Sequence, residues 1–136
     1  MANEAVIIEL CGQPKGVPVR YAIGNAVAVE KGTLMKMSGA RACAVALADN
    51  DLFAGIAAEE KVANDGATSI GLWTKGIFDL KTNANSIAVG ERVKLSGANC
   101  VDLANDDTIA NAQEIVGVAL ESAAADDTIA VAVGIY

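Results

Sequence analysis

The second half of this chain rewrites its first half. The run Glu30-Lys31-Gly32-Thr33-Leu34-Met35-Lys36-Met37-Ser38-Gly39-Ala40-Arg41-Ala42-Cys43 returns as Gly90-Glu91-Arg92-Val93-Lys94-Leu95-Ser96-Gly97-Ala98-Asn99-Cys100. Phe53-Ala54-Gly55-Ile56-Ala57-Ala58-Glu59 returns as Ile115-Val116-Gly117-Val118-Ala119-Leu120-Glu121, and Asp65 to Ile70 returns as Asp126-Asp127-Thr128-Ile129. The offsets are 59 (Leu34 to Val93), 62 (Gly55 to Gly117) and 58 (Gly76 to Gly134). Ordered matches at similar offsets imply two copies of one β unit. Two copies are too few for a solenoid, so both are expected to close on a shared core in one domain.

The strand signals agree with that reading. Residues 4–11 are rich in β-branched side chains, and the Gly/Pro segment that follows holds both prolines, so residues 1–18 read as an N-terminal arm and linker outside the repeat. Residues 19–136 then form a single β domain, with copies at about 26–80 and 86–136. Gly24-Asn25 between two apolar runs predicts a hairpin of Val19–Ile23 with Ala26–Val29. Further strands are expected at Thr33–Met37, Arg41–Leu47, Leu52–Ala58, Thr68–Thr74, Gly76–Leu80, Arg92–Leu95, Cys100–Leu103, Glu114–Leu120 and Thr128–Tyr136. In the last of these Ile129, Val131, Val133 and Ile135 fill one face and Ala130, Ala132 and Gly134 the other, so it is expected to be covered on both sides. Residues 105–113, with Asp106 as N-cap, are the best helix candidate, and a short one. The predicted fold class is all-β: a small β-barrel or compact sandwich built from two pseudo-repeated β units, with an extended N-terminal arm and at most one short helix.

Composition narrows the chemistry. The chain is 53% hydrophobic yet 4% aromatic, with 13 glycines. Small side chains allow close-packed sheets, and they suit equally a surface buried in an assembly or a plain Ala/Val core. A chain of this length buries enough surface to need no metal or disulfide staple. The net charge of −7 argues against nucleic acid, which demands clustered Lys and Arg, and no basic amphipathic face points to a membrane. The N-terminus lacks a basic region and Glu9 breaks its apolar stretch, so neither a signal peptide nor a transmembrane span is expected.

There is no histidine, which excludes a histidine-based catalytic triad or dyad. Cys11, Cys43 and Cys100 are odd in number and far apart, so they read as small hydrophobes rather than zinc ligands, with Cys43 and Cys100 at nearly equivalent positions of the repeat. No phosphate-cradling glycine motif is present. Asp49-x-Asp51 resembles the start of a calcium loop, but Phe53 stands at the third ligand position; with Glu59-Glu60, Asp106-Asp107 and Asp126-Asp127 it reads as solvated loop tips. Trp73 reads as a core anchor. No catalytic residue, cofactor or metal site is predicted.

From Gly16 to Tyr136 the chain resembles the capsid decoration (cement) proteins of tailed bacteriophages and related viruses. The resemblance rests on Glu30-Lys31-Gly32-Thr33-Leu34, Phe53-Ala54-Gly55-Ile56-Ala57, Gly76-Ile77-Phe78-Asp79-Leu80, Val89-Gly90-Glu91-Arg92-Val93 and Ile115-Val116-Gly117-Val118-Ala119. It implies a non-enzymatic protein, made in the host cytoplasm, that docks on the outer surface of an icosahedral shell. There it clamps neighbouring major capsid protein subunits, commonly as a homotrimer. A mechanism that fits is β-augmentation by the arm, with Glu4, Val6, Ile7, Ile8 and Leu10 adding to a sheet edge of a capsid or decoration subunit and staying mobile until that edge is supplied. The same residues also fit an ordinary first strand of the barrel. Two other classes remain: a small oligomeric carbohydrate- or surface-binding β module using Trp73, Tyr21 and Tyr136, and an enzyme working through carboxylates alone.

Overall fold

The computed structural model describes residues 2–10, 18–49, 51–104 and 114–134. Its strands are β1 (Val6–Leu10), β2 (Val19–Ala22), β3 (Leu34–Gly39), β4 (Ala42–Val45), β5 (Phe53–Ala57), β6 (Ser69–Trp73), β7 (Gly76–Thr82), β8 (Arg92–Leu95), β9 (Cys100–Leu103), β10 (Ile115–Ala119) and β11 (Thr128–Val133). The protein is all-β, with no α-helix among the described residues; the helix candidate at 105–113 lies outside them.

The strands close into two five-stranded barrels of identical connectivity. The first runs β2-β4-β3-β5-β6 and back to β2; the second runs β7-β9-β8-β10-β11 and back to β7. In each, one parallel pairing (β2 with β4, β7 with β9) closes a ring that is otherwise antiparallel. Closure leaves little edge exposed, which short strands of small residues would otherwise present to aggregation.

The likeness reaches single hydrogen bonds. The Gly32 N–H donates to the Ala57 carbonyl at 2.8 Å, as Gly90 does to Ala119. Both glycines have φ of 90°, a left-handed conformation that a side chain would strain. The bridge Val29–Lys61 is matched by Ile87–Ala123. The Glu59 carboxylate accepts the Gly71 N–H at 3.1 Å, and Glu121 accepts Ala130 N–H at the same distance. At Gly55 an added Cβ would lie 2.8 Å from the Trp73 carbonyl oxygen, and at Gly117 it would collide with the Ala132 carbonyl. Both glycines therefore let neighbouring strands approach where a Cβ would hold them apart.

Three details differ from the sequence reading. First, the copies divide between Trp73 and Gly76. β7, matched by sequence to the end of the first copy, is the opening strand of the second barrel, where it pairs along its length with β11. Second, the ladders align Met35 with Val93, Lys36 with Lys94 and Ala42 with Cys100, one residue off the Leu34–Val93 match. A one-residue slip turns a side chain to the opposite face, and so Cys43 is buried in the first barrel while Cys100 is half-buried. Third, Ala26–Val29 forms no hairpin. Val19–Ala22 pairs with β6 and β4 instead, and the Asn25 and Val27 carbonyls accept from the buried Lys61 ammonium, at 2.8 and 3.1 Å.

Each barrel has its own interior. Met35, Cys43, Ile70 and Leu72 fill the first; Phe78, Leu80, Val93, Val101, Ile129 and Val131 fill the second. On the first barrel's outer wall Leu34, Ile56 and Trp73 lie side by side across β3, β5 and β6 and join the second cluster. Their counterparts on the second barrel are Arg92, Val118 and Ala132. The two barrels are thus packed through one apolar wall of the first copy, with the Trp73 and Phe78 rings 5.9 Å apart.

Candidate functional site

The arm residues fold back on their own chain. β1 runs antiparallel to β7, with Val6 opposite Asp79, Ile7 opposite Phe78 and Leu10 opposite Gly76. The Ala5 N–H donates to the Gly32 carbonyl at 2.6 Å. The ladder supplied by β7 replaces the expectation of an arm that stays mobile until it meets a partner, because the backbone groups on that side of β1 are already spent. Ile7 packs against the core, Glu4 is half-buried, and Val6 and Ile8 point outward at 59% and 51% exposure. β1 is the outermost strand of its sheet, and beyond Val6 no strand pairs with its other edge among the described residues.

β7 holds β1 on the same side that it holds β9: Gly76–Asp79 face β1, and Lys81 and Thr82 face β9. The corresponding strand of the first barrel, β2, holds β4 only through Ala22 and Ala42. Alongside Val19–Tyr21, where the second copy carries β1, no strand lies among the described residues. Here the Arg20 carbonyl accepts the Arg41 Nε–H at 3.2 Å, and the Arg20 guanidinium pairs with Glu59 at 2.6 Å.

At the repeat position of Arg41 the second copy has Asn99, and both are left-handed, with φ of 50° and 53°. Asparagine tolerates that region better than arginine. Asn99, 1% exposed, accepts the Leu34 N–H at 3.0 Å and donates to the Ala2 carbonyl at 3.1 Å. It therefore ties the first barrel, the second barrel and the segment entering β1 together. Sequence reasoning passed over both residues, although Ser38-Gly39-Ala40-Arg41 beside Ser96-Gly97-Ala98-Asn99 marks the position.

The carboxylate pairs do local work. Asp51 accepts the Leu47 and Ala48 N–H groups at 2.9 and 3.0 Å and the Lys36 ammonium at 3.1 Å. Asp49 accepts from the Ser96 hydroxyl at 3.3 Å. No three His, Cys, Asp or Glu side chains converge among the described residues. Trp73 is buried against Phe78 and the Lys31 ammonium stands 5.5 Å from its ring centre, so it offers no open aromatic platform; Tyr21 is half-buried, and Tyr136 lies outside the described residues. A cleft of about 490 Å³ runs from Glu4 to Ile7 beside Lys31 and Trp73. No helix among the described residues is long and apolar enough to cross a membrane.

The arrangement is one of sheet edges, apolar walls and salt-linked turns, which suits adhesion between proteins. Among curated proteins, none matches the chain. A family model described as phage cement protein matches residues 13–135, a span that takes in both barrels, and the chain belongs to that family.

Proposed function

We propose that this cement protein binds the outside of an icosahedral shell, where it touches the major capsid protein and stabilises the contacts between capsid subunits. Its role is structural and non-enzymatic, and it works as a homo-oligomer, a trimer being favoured, on virions to which it is added after synthesis in the host cytoplasm. The observation that carries this reading is the family match over both barrels. The outward pair Val6 and Ile8 supports it, because two β-branched side chains more than half exposed on one strand face are apolar surface left for a partner. In this reading Val6 and Ile8 meet the capsid, Ile7 anchors β1 to its own core, and Glu4 and Leu10 bound the docking strand. Many modest contacts on one shell then add up to a large resistance to internal pressure.

The test is sedimentation with expanded capsids that lack the protein, followed by heating. Stoichiometric co-sedimentation and a higher capsid disruption temperature are expected, and a Val6→Asp, Ile8→Asp double variant is expected to stay in the supernatant. Failure of the wild-type protein to bind matched capsids would overturn the reading. A carbohydrate-binding module finds less support, since the ring that would anchor a sugar is buried.

A further inference from the structure

The two barrels share every pairing, yet among the described residues only the second has a strand added beside its opening strand. We propose that the matching edge of the first barrel, β2 at Val19–Tyr21, is an interaction site for the outer edge of β1 from a second copy of this chain. The proposal gives contact residues to the self-association in the reading above and rests on that part of it alone.

Strand parity fixes which groups are on offer. The Ala22 N–H donates toward β4, to the Arg41 carbonyl at 2.9 Å, while the Ile23 N–H donates to the Thr68 carbonyl beside β6. Alternation along a strand then turns the Arg20 N–H and carbonyl away from β6, to the side where the second copy has Val6 of β1 opposite Asp79. The Arg41 side chain holds that carbonyl from an exposed position. A charged side chain over a short edge is a usual way of keeping it from pairing at random, and among the described residues an entering strand has only this one side-chain bond to displace.

The occupant is argued from the same molecule. β1 is the strand that lies beside the matching edge of the second barrel, there through its inner edge. Its own outer edge has no strand beyond Val6 among the described residues, so edge can meet edge without breaking a ladder. The charges agree: beside the Arg20–Glu59 pair the receiving edge carries exposed Arg41, and the entering strand carries exposed Glu9. Such a contact joins unlike surfaces, one edge giving and another receiving, and closes into a ring where the rotation allows.

The experiment uses the free protein without capsids, so its failure leaves capsid binding standing as a separate question. The mass by sedimentation equilibrium and the exchange rate of the Arg20 amide by NMR are followed over a range of concentration. The expected result is a rising mass with the Arg20 amide slowing by about tenfold or more as it becomes bonded. Arg20→Pro removes the guanidinium paired with Glu59 and an N–H that points away from β6, a position where edge strands accept proline, and is expected to stay monomeric; Arg20→Ala, which loses the same guanidinium but keeps that N–H, is expected to associate. A monomer at every concentration, an Arg20 amide indifferent to a rising mass, or a folded Arg20→Pro that associates like Arg20→Ala would overturn the proposal. If Arg20→Pro does not fold, the wild-type amide decides alone.

Discussion

Asn99 leaves its own barrel to bond the other: its side-chain oxygen accepts the Leu34 N–H at 3.0 Å, in a site where Asn99 itself is almost fully buried. Replacing it with alanine strands a buried N–H, frees the Ala2 carbonyl and puts a Cβ-bearing residue without a helpful side chain in the left-handed region. An unpaired buried donor costs about 1–3 kcal/mol, and the loss of a second bond about 1 more. Asn99→Ala is therefore expected to lower stability by about 2–4 kcal/mol in urea unfolding, while Arg41→Ala, on the exposed equivalent, costs under about 1 kcal/mol.

Lys61 is a buried charge held by four acceptors. Its ammonium donates to the carbonyls of Asn25, Val27 and Val62 and to the Asp65 carboxylate, with its side chain 2% exposed. Lys61→Met keeps the stem and deletes the donor, so the Val27 and Val62 carbonyls lose it outright, while the Asn25 carbonyl keeps the Asn64 N–H and the Asp65 carboxylate keeps the Ala67 N–H. A loss of about 2–4 kcal/mol is expected, because removing one member of a buried polar network exposes the desolvation cost of the rest. A calorimetric Tm within a degree of wild type would show the cage to be dispensable.

The acid limb of stability follows from the same turns. Burial would raise the Asp51 carboxyl, but the Ala48 and Leu47 N–H groups and the Lys36 ammonium outweigh it and hold the group below the ordinary aspartate value of 3.8. Asp65 is lowered too, first by the Ala67 N–H and then, against some burial, by Lys61. A folded value below the unfolded one means stability that is complete above the ordinary aspartate range and drains away as pH falls through the folded value. Unfolding midpoints are expected to be flat near neutrality and to fall below about pH 4, and Asp51→Asn is expected to shallow that fall. An unchanged slope in the variant would assign the acid sensitivity to other carboxylates.

How much of this was legible in the sequence depends on what each residue answers to. Gly32 and Gly90, or Gly55 and Gly117, answer to backbone geometry repeated in both copies, so their spacing announced the fold. Leu34 and Arg92 occupy the same rung, yet one is buried between the barrels and the other is exposed. That contrast depends on how the copies pack against each other, which no local period records. The Trp73–Ala132 contrast carried the same hint of which outer wall is covered. β7 was misplaced because strands joined by a short connection look alike whether they close one barrel or open the next. The arm was legible as a strand, but its partner was not: pairing of β1 with β7 spans the whole first barrel in sequence, and β-branched alternation says only that some edge is needed. Asn99 was hidden for a related reason, since its bonds go to Leu34 and Ala2 rather than to neighbours along the chain.

Glycine substitutions separate close approach from conformation. Gly117 lies against the Ala132 backbone, so an alanine there must push β10 from β11. Gly90 instead needs a left-handed backbone and has open space around it, with no atom within 4 Å of an added Cβ. Gly90→Ala is expected to cost about 1 kcal/mol of backbone strain, whereas Gly117→Ala should exceed about 3 kcal/mol or leave the protein insoluble. Equal costs by urea unfolding would mean that β10 and β11 can separate cheaply.

Trp73 offers the last test, because its size and its polar handle can be separated. The ring is 8% exposed and packs on Phe78, while its indole N–H is buried with no acceptor among the described residues. A residue held for its bulk tolerates loss of the N–H, and phenylalanine removes that unpaired donor while keeping an aromatic ring on Phe78. Trp73→Phe is expected to cost under about 2 kcal/mol, the lost ring volume being partly offset by relief of the buried donor. Trp73→Ala opens a cavity between the barrels and should cost about 3–5 kcal/mol. Because this is the chain's one tryptophan, its emission reports on the joint directly: a blue-shifted native spectrum that moves red in the same urea transition as the circular dichroism would mean that the barrels unfold together. A red shift at lower urea would mean that the wall of Leu34, Ile56 and Trp73 parts first and that each barrel then stands on its own core.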